Sequence, residues 1–340
     1  MNPKLLQGVA ISLLMIALLW LILALQPEQE MIDDDNPLLK DDVTRIVAHA
    51  GGNMEFPDNT LEAFYNAYSV DPDVVMEADV AITADEEIVL THDVTFDRKT
   101  TLVEAPVEKI TYEYLMEEEI DFGYDNPIEN NAFNTDEVFE RYTNYAGEEV
   151  TPMDVDYPEG VSPRHEEKFL ATTFEELITA FPDNAFIIEI KNSGELGEKA
   201  LERVMEIMHD LDDDYDTFDR VSLGSFHRDV YDQFVALKDN NPDLMFSPQN
   251  YGVARFYIMQ LLGVNGLYNE PVTSFQVPTS DGPINLATQR FIDNANKHNI
   301  AVTYWTINDE ATMRELIEIG ADGILTDRPT KLYEILQEYK

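Results

Sequence analysis

Two short apolar runs in this 340-residue chain carry the side chains best suited to chemistry. Val74-Val75-Met76-Glu77-Ala78-Asp79-Val80 places two carboxylates two positions apart. Ile88-Val89-Leu90-Thr91-His92-Asp93 ends on an imidazole beside an acid. Side chains two apart on a strand share a face, so Glu77 and Asp79 converge on one spot. Buried acids must be paired or bound to a cation, and oxygen ligands suit a hard divalent ion. A short polar turn brings His92 back beside them. Other strand ends add His49, from Arg45-Ile46-Val47-Ala48-His49, and Glu189 with Lys191, from Phe186-Ile187-Ile188-Glu189-Ile190-Lys191. Three carboxylates with room for water fit one Ca2+ or Mg2+, and the lack of cysteine and of paired histidine spacing argues against zinc. Two histidines beside such an ion suit phosphodiester cleavage. One takes a proton from the attacking group and the other protonates the leaving alkoxide, while the cation and Lys191 offset phosphate charge.

These residues need a scaffold that gathers strand ends. From Arg45 onward strands and helices alternate to the end of the chain. Repeated βα units with polar residues at the C-terminal strand ends predict a TIM (β/α)8 barrel. Nine candidate strands compete for eight places. The pair at 74–83 and 87–91 is too close for a parallel crossover, so one of the two is expected to be extra or antiparallel. A helix is expected to begin at Asn59, with Glu62 three positions on as in a capping box. Residues 94–171 break the rhythm and read as a small insertion domain after the third strand, a cap with helical hints at 110–119 and 136–146. No glycine-rich dinucleotide or Walker fingerprint follows any strand.

Composition narrows the function classes. With 22 basic and 67 acidic residues, a net charge of −45 repels nucleic acid, which is excluded as a partner. There is no cysteine, hence no disulfide, thiolate metal site or cysteine nucleophile. Gly8–Leu25 is free of charge, with Lys4 before it and Glu28, Glu30 and Asp33 to Asp35 after it. No small-x-small cleavage pattern follows, so residues 1–26 read as a single-pass transmembrane helix rather than a signal peptide. The flanking charges put the catalytic part outside the cytoplasm. Residues 27–44 read as an acidic linker, and His165, His209, His227 and His298 as surface or loop histidines, with His227 nearest the mouth.

The ordered motifs resemble the glycerophosphodiester phosphodiesterase family, a TIM-barrel family. They are His49-Ala50-Gly51, Pro57-Asp58-Asn59-Thr60, Glu77-Ala78-Asp79, His92-Asp93, Glu189-Ile190-Lys191, Trp305-Thr306-Ile307-Asn308 and the terminal Gly320-Ala321-Asp322-Gly323-Ile324-Leu325-Thr326-Asp327-Arg328-Pro329. The likeness runs from about 45 to 331. It implies His49 and His92 as the acid/base pair, Glu77, Asp79 and Glu189 as metal ligands, Lys191 as a phosphate contact and Trp305 as a wall of the substrate pocket. The implied reaction is hydrolysis of small or lipid-derived glycerophosphodiesters to an alcohol and glycerol 3-phosphate. Lysophospholipase D action on single-chain lipids is the enzymatic alternative, which an adjacent membrane favours. Two departures stand out: Ala50 replaces the usual Arg, removing a phosphate-binding charge, and Asp58 replaces the usual Glu. The alternative from another class, a non-catalytic membrane-anchored binding protein, draws on Ala50 and the acidic cap.

Overall fold

The computed structural model describes residues 3–31, 36–40, 42–126 and 139–340. Eleven strands are present among them: β1 Arg45–Ala48, β2 Val75–Ile82, β3 Ile88–Leu90, β4 Phe186–Ile190, β5 Val221–Gly224, β6 Met245–Phe246, β7 Ser274–Val277, β8 Ser280–Asp281, β9 Ile284–Asn285, β10 Ala301–Tyr304 and β11 Gly323–Thr326. Eight of these run parallel in the order β6-β5-β4-β2-β1-β11-β10-β7. The two ends of that order meet where the Thr273 N–H donates to the Phe246 carbonyl at 3.0 Å. The expected TIM barrel is therefore present. The ninth candidate is β3, which pairs antiparallel with β2, Val80 opposite Leu90. The β8–β9 hairpin was not legible in the sequence: two-residue strands leave no periodicity to read.

Alternation along each strand sorts side chains between two apolar layers. In β2, Met76, Ala78 and Val80 face outward into the main core against the helices. Val47, Val75, Ala185, Ile187, Ala301 and Leu325 fill the barrel interior. The inward set of β2 thus continues from Val75 through Glu77 to Asp79, and that of β4 from Ile187 to Glu189. Parallel register sets Asp79 beside Glu189. Leu38 joins the interior cluster and is 2% exposed. The Asn36 amide donates to the carbonyls of Thr273 and Asn299 at 2.7 and 2.8 Å. The segment read as a linker thus also packs against the barrel.

The helix after β1 spans Leu61–Val70, and its N-cap is Thr60, whose hydroxyl accepts from the Ala63 N–H. The start expected at Asn59 lies one residue too early. Asn59 takes a left-handed φ of 58° and turns its amide onto Asp79 instead, a conformation asparagine tolerates. Within 94–171 the helix Tyr112–Glu117 answers the first helical hint. Of the second, residues 136–138 lie outside the described residues and 139–146 form bridges and a turn, not a helix. Phe96, Leu115 and Phe169 of this segment are at most 1% exposed and belong to the main core. At about 1.5–3 kcal/mol each, their burial fastens the segment to the barrel. The helix Pro3–Ala24 contains a stretch, Leu6–Ala24, long and apolar enough to cross a membrane.

Candidate active site

His49, Glu77, Asp79, His92, Glu189, Lys191 and Trp305 all line a single cavity of about 280 Å³ at the C-terminal ends of the strands. β2 delivers Glu77 and Asp79 by alternation, β4 delivers Glu189, and Lys191 follows one step past the end of β4. β3 returns the chain so that the Thr91 N–H donates to the Asp79 carbonyl, and His92 comes next. His49 closes β1 and opens a tight turn in which Ala50, Gly51 and Gly52 all have positive φ. That turn points the Ala50 N–H at Glu77 Oε2, 2.8 Å away. A Cβ on Gly51 would clash with Ala63 at 2.7 Å, so glycine is what lets the turn sit on the following helix.

One oxygen from each of Glu77, Asp79 and Glu189 lies within 4.8 Å of the others. Asp79 Oδ2 accepts from Asn59 Nδ2 at 3.0 Å. The Lys191 ammonium stands 2.9 Å from Glu189 Oε1 and 3.4 Å from Asp79 Oδ1. Among the described lining residues it is the sole Lys or Arg, so three carboxylates share one ammonium. Burial and the neighbouring charge of Asp79 push Glu77 up to about 8, against a weaker pull from His49. Burial also raises Glu189, partly countered by Lys191. Glu77 and Asp79 are buried and the donor set is all oxygen, so the cluster is short of positive charge and fits a hard divalent cation.

Each imidazole is held from behind by a carboxylate. His49 Nδ1 lies 2.6 Å from Asp327 Oδ1, and Asn308 Nδ2 donates to the other oxygen of Asp327 at 2.6 Å. Burial works against the charged His49 ring. The Asp327 hydrogen bond and the charges of Glu77, Asp327 and Asp79 outweigh it and raise the ring to about 9. His92 Nδ1 lies 3.1 Å from Asp93 Oδ1, and that bond raises His92 against partial burial. Asp93 in turn accepts from Arg98 Nε at 2.7 Å. Burial works against the ionised Asp93, but His92 and Arg98 outweigh it and hold the carboxyl at about 2.

Asp327 and Asp93 were not singled out from the sequence, although both lie inside quoted motifs. Asp93 adjoins His92, but Asp327 meets His49 across 278 positions, a pairing that spacing cannot show. Asp58 does not line the cavity. It accepts from Lys99 Nζ at 2.7 Å and from both terminal nitrogens of Arg98 at 3.1 Å, tying the segment after β3 to the loop after β1. Ala50 is buried and brings no cation to the cavity. Of the remaining histidines, His227 Nε2 reaches the Lys191 carbonyl at 3.1 Å without lining the cavity. His298 lies in the turn after the helix Gln289–Asn296, as the loop reading expects, but it is fully buried rather than on the surface, with its Nδ1 2.8 Å from the Gln29 carbonyl.

Comparison with known proteins agrees with this fold. The chain is 24% identical over 315 residues to a human lysophospholipase D, covering 87% of each chain. It is also 24% identical over 303 residues to a glycerophosphodiester phosphodiesterase of Caldanaerobacter subterraneus, covering 87% of this chain and 98% of the relative. Among solved structures, a glycerophosphoryl diester phosphodiesterase from Silicibacter pomeroyi superposes with a TM-score of 0.61 at 19% identity, over 89% of this chain and 96% of the other. A phosphodiesterase of Oleispira antarctica, in complex with the product sn-glycerol-3-phosphate, does so with a TM-score of 0.58 at 17% identity, over 87% and 97%. Residues 49–331 match the profile of the glycerophosphoryl diester phosphodiesterase family. The chain belongs to that family and is an enzyme of it.

Proposed function

We propose that this enzyme hydrolyses glycerophosphodiesters to an alcohol and glycerol 3-phosphate with the help of one divalent cation, Ca2+ or Mg2+. The observation that carries the reading is the convergence of two imidazoles, three carboxylates and one ammonium on a single cavity. Glu77, Asp79 and Glu189 would hold the cation, which when bound supplies Lewis-acid polarisation of a phosphoryl oxygen. Lys191 balances charge on the phosphate, and Trp305 forms a wall for the organic part of the substrate. One of His49 and His92 takes the proton of the attacking hydroxyl, and the other gives a proton to the departing alkoxide. Asp327 and Asp93 engage the Nδ1 atoms, which leaves each Nε2 for these transfers. Each such transfer contributes roughly 10²–10⁴-fold. Ala50 removes a phosphate contact that the family resemblance implies, weakening substrate binding while the proton-transfer groups stay in place.

In this reading Leu6–Ala24 anchors the enzyme in a membrane, and Lys4 ahead of that stretch with acids after it directs the barrel outward. The test is a screen of soluble glycerophosphodiesters with and without a chelator, using His49→Ala and His92→Ala as blanks. Product formation that a chelator abolishes, and that Ca2+ or Mg2+ restores, is expected. Absence of cation-dependent product from every diester would overturn the reading and leave the binding-protein alternative.

A further inference from the structure

A second cavity of about 260 Å³ adjoins the first and shares Phe226, Asn250, Gln276 and Trp305 with it. Its other walls are mainly apolar: Val253, Tyr257 and Ile258 of the helix Asn250–Leu262 on one side, Val277, Ile284 and Leu286 on the other. Asp281 is its one charged lining residue among those described. Together the two cavities fall within the range of about 300–1,000 Å³ usual for organic ligands.

The helix Asn250–Leu262 is unusual on its outer side as well. Tyr251, Ile258, Leu261 and Leu262 are 51%, 56%, 62% and 55% exposed. Residues 244–269 contain no Asp or Glu, although acids make up 67 of the 340 residues of the chain, and Arg255 is the sole charge in that run. The helix begins at the mouth with Asn250 and ends beside the apolar N-terminal helix, where the Trp20 indole donates to the Leu262 carbonyl at 2.9 Å. A Cβ on Gly266 would collide with the backbone of Gln26, so a glycine admits the chain leaving that helix. The acid-free stripe therefore joins the end of the membrane-length helix to the mouth of the active site.

We propose that the helix Asn250–Leu262 lies on the bilayer that Leu6–Ala24 enters, and that the second cavity takes the acyl chain of a single-chain glycerophospholipid whose diester reaches the first. This rests on the phosphodiesterase reading above. A charge of −45 keeps most of the surface off lipid, and the acid-free stripe is the face that can approach it. Tyr251 and Trp20 have the amphipathic rings that settle at a membrane interface. In the net reaction the bond from phosphorus to the head-group oxygen breaks. The hydroxyl of water goes to phosphorus and its proton to the head-group alcohol, leaving a monoacylglycerol phosphate.

The test uses the purified full-length chain and a series of glycerophosphocholine and its hexanoyl, octanoyl and decanoyl monoesters, all below micelle-forming concentrations. We expect kcat/KM to rise by about fourfold per buried methylene until the cavity is filled. Ala254 is an exposed residue that lines the cavity, so Ala254→Trp should fill it and flatten that rise. Leu261→Glu lies outside both cavities and should leave the soluble series unchanged, while lowering turnover of lysolipid carried in phosphatidylcholine vesicles roughly tenfold. Hydrolysis of the chainless diester with no chain-length dependence, or a dependence that survives Ala254→Trp, overturns the acyl site. An unchanged vesicle rate for Leu261→Glu overturns the membrane face. Failure to hydrolyse any diester fails the phosphodiesterase reading itself and this proposal with it.

Discussion

Glu77 is buried inside the barrel, within electrostatic reach of Asp79 and His49, while the Lys191 ammonium is directed at Asp79 and Glu189. Burial and its acidic neighbour raise its pKa, so without a cation Glu77 keeps its proton to a higher pH than a free glutamate does. A cation needs the carboxylate and must displace that proton. Calorimetric titration with Mg2+ or Ca2+ at pH 7, in two buffers of different ionisation enthalpy, should therefore show proton release. The release should fade as pH rises past about 8, and Glu77→Gln should abolish it while weakening binding. Equal heats in both buffers would contradict the charge argument. The imidazoles answer to a separate measurement. His49→Ala and His92→Ala should each lower kcat roughly 10²–10⁴-fold while the same titration still shows cation binding. The acids two apart and the histidine at a strand end were legible in the sequence because alternation is local. Asp327 behind His49 was not, because only barrel closure brings strand β11 beside β1.

Strands with continuous apolar runs were readable as elements, and the antiparallel return of β3 followed from its short connection. Residues 94–171 were readable only as a break in rhythm. Besides the apolar burial of Phe96, Leu115 and Phe169, they are held by polar contacts that no periodicity reports, chiefly Lys99, 2% exposed, and Arg98 around the buried Asp58. Burial alone would raise the Asp58 carboxyl. The Lys99 and Arg98 charges outweigh it and hold Asp58 well below the usual carboxylate range. A carboxylate with a depressed pKa stabilises the fold fully above its unfolded value near 4, and that contribution is lost as pH falls through the folded value. Asp58→Asn leaves two cations without their shared partner and should cost about 3–5 kcal/mol in urea unfolding at pH 7. The deficit relative to wild type should shrink as pH falls below about 4, because wild type then loses the same interaction. A deficit that stays constant down to strongly acid pH would assign the loss to packing instead.

At the scale of the whole chain, the acidic surface and the N-terminal apolar helix were plain from composition, but the role of the residues between helix and barrel was not. Polar composition marked 27–44 as a linker, yet Leu38 enters the same interior cluster as Val47, Ile187 and Leu325. The Met31 N–H donates to the His298 carbonyl at 2.9 Å, and Asn36 bridges Thr273 and Asn299. One buried leucine in a polar stretch has no period to announce it, so burial had to be seen in three dimensions. The barrel's interior layer is thus completed by a residue that precedes its first strand. Two truncations separate this role from anchoring. Removing residues 1–26 should leave the thermal midpoint and soluble-diester turnover close to those of the detergent-solubilised full chain. Removing residues 1–44, or making Leu38→Ala in the full chain, should lower stability, by about 2–5 kcal/mol for the single substitution. Equal stability of all these forms would mean that the segment only tethers, and that the interior layer stands without Leu38.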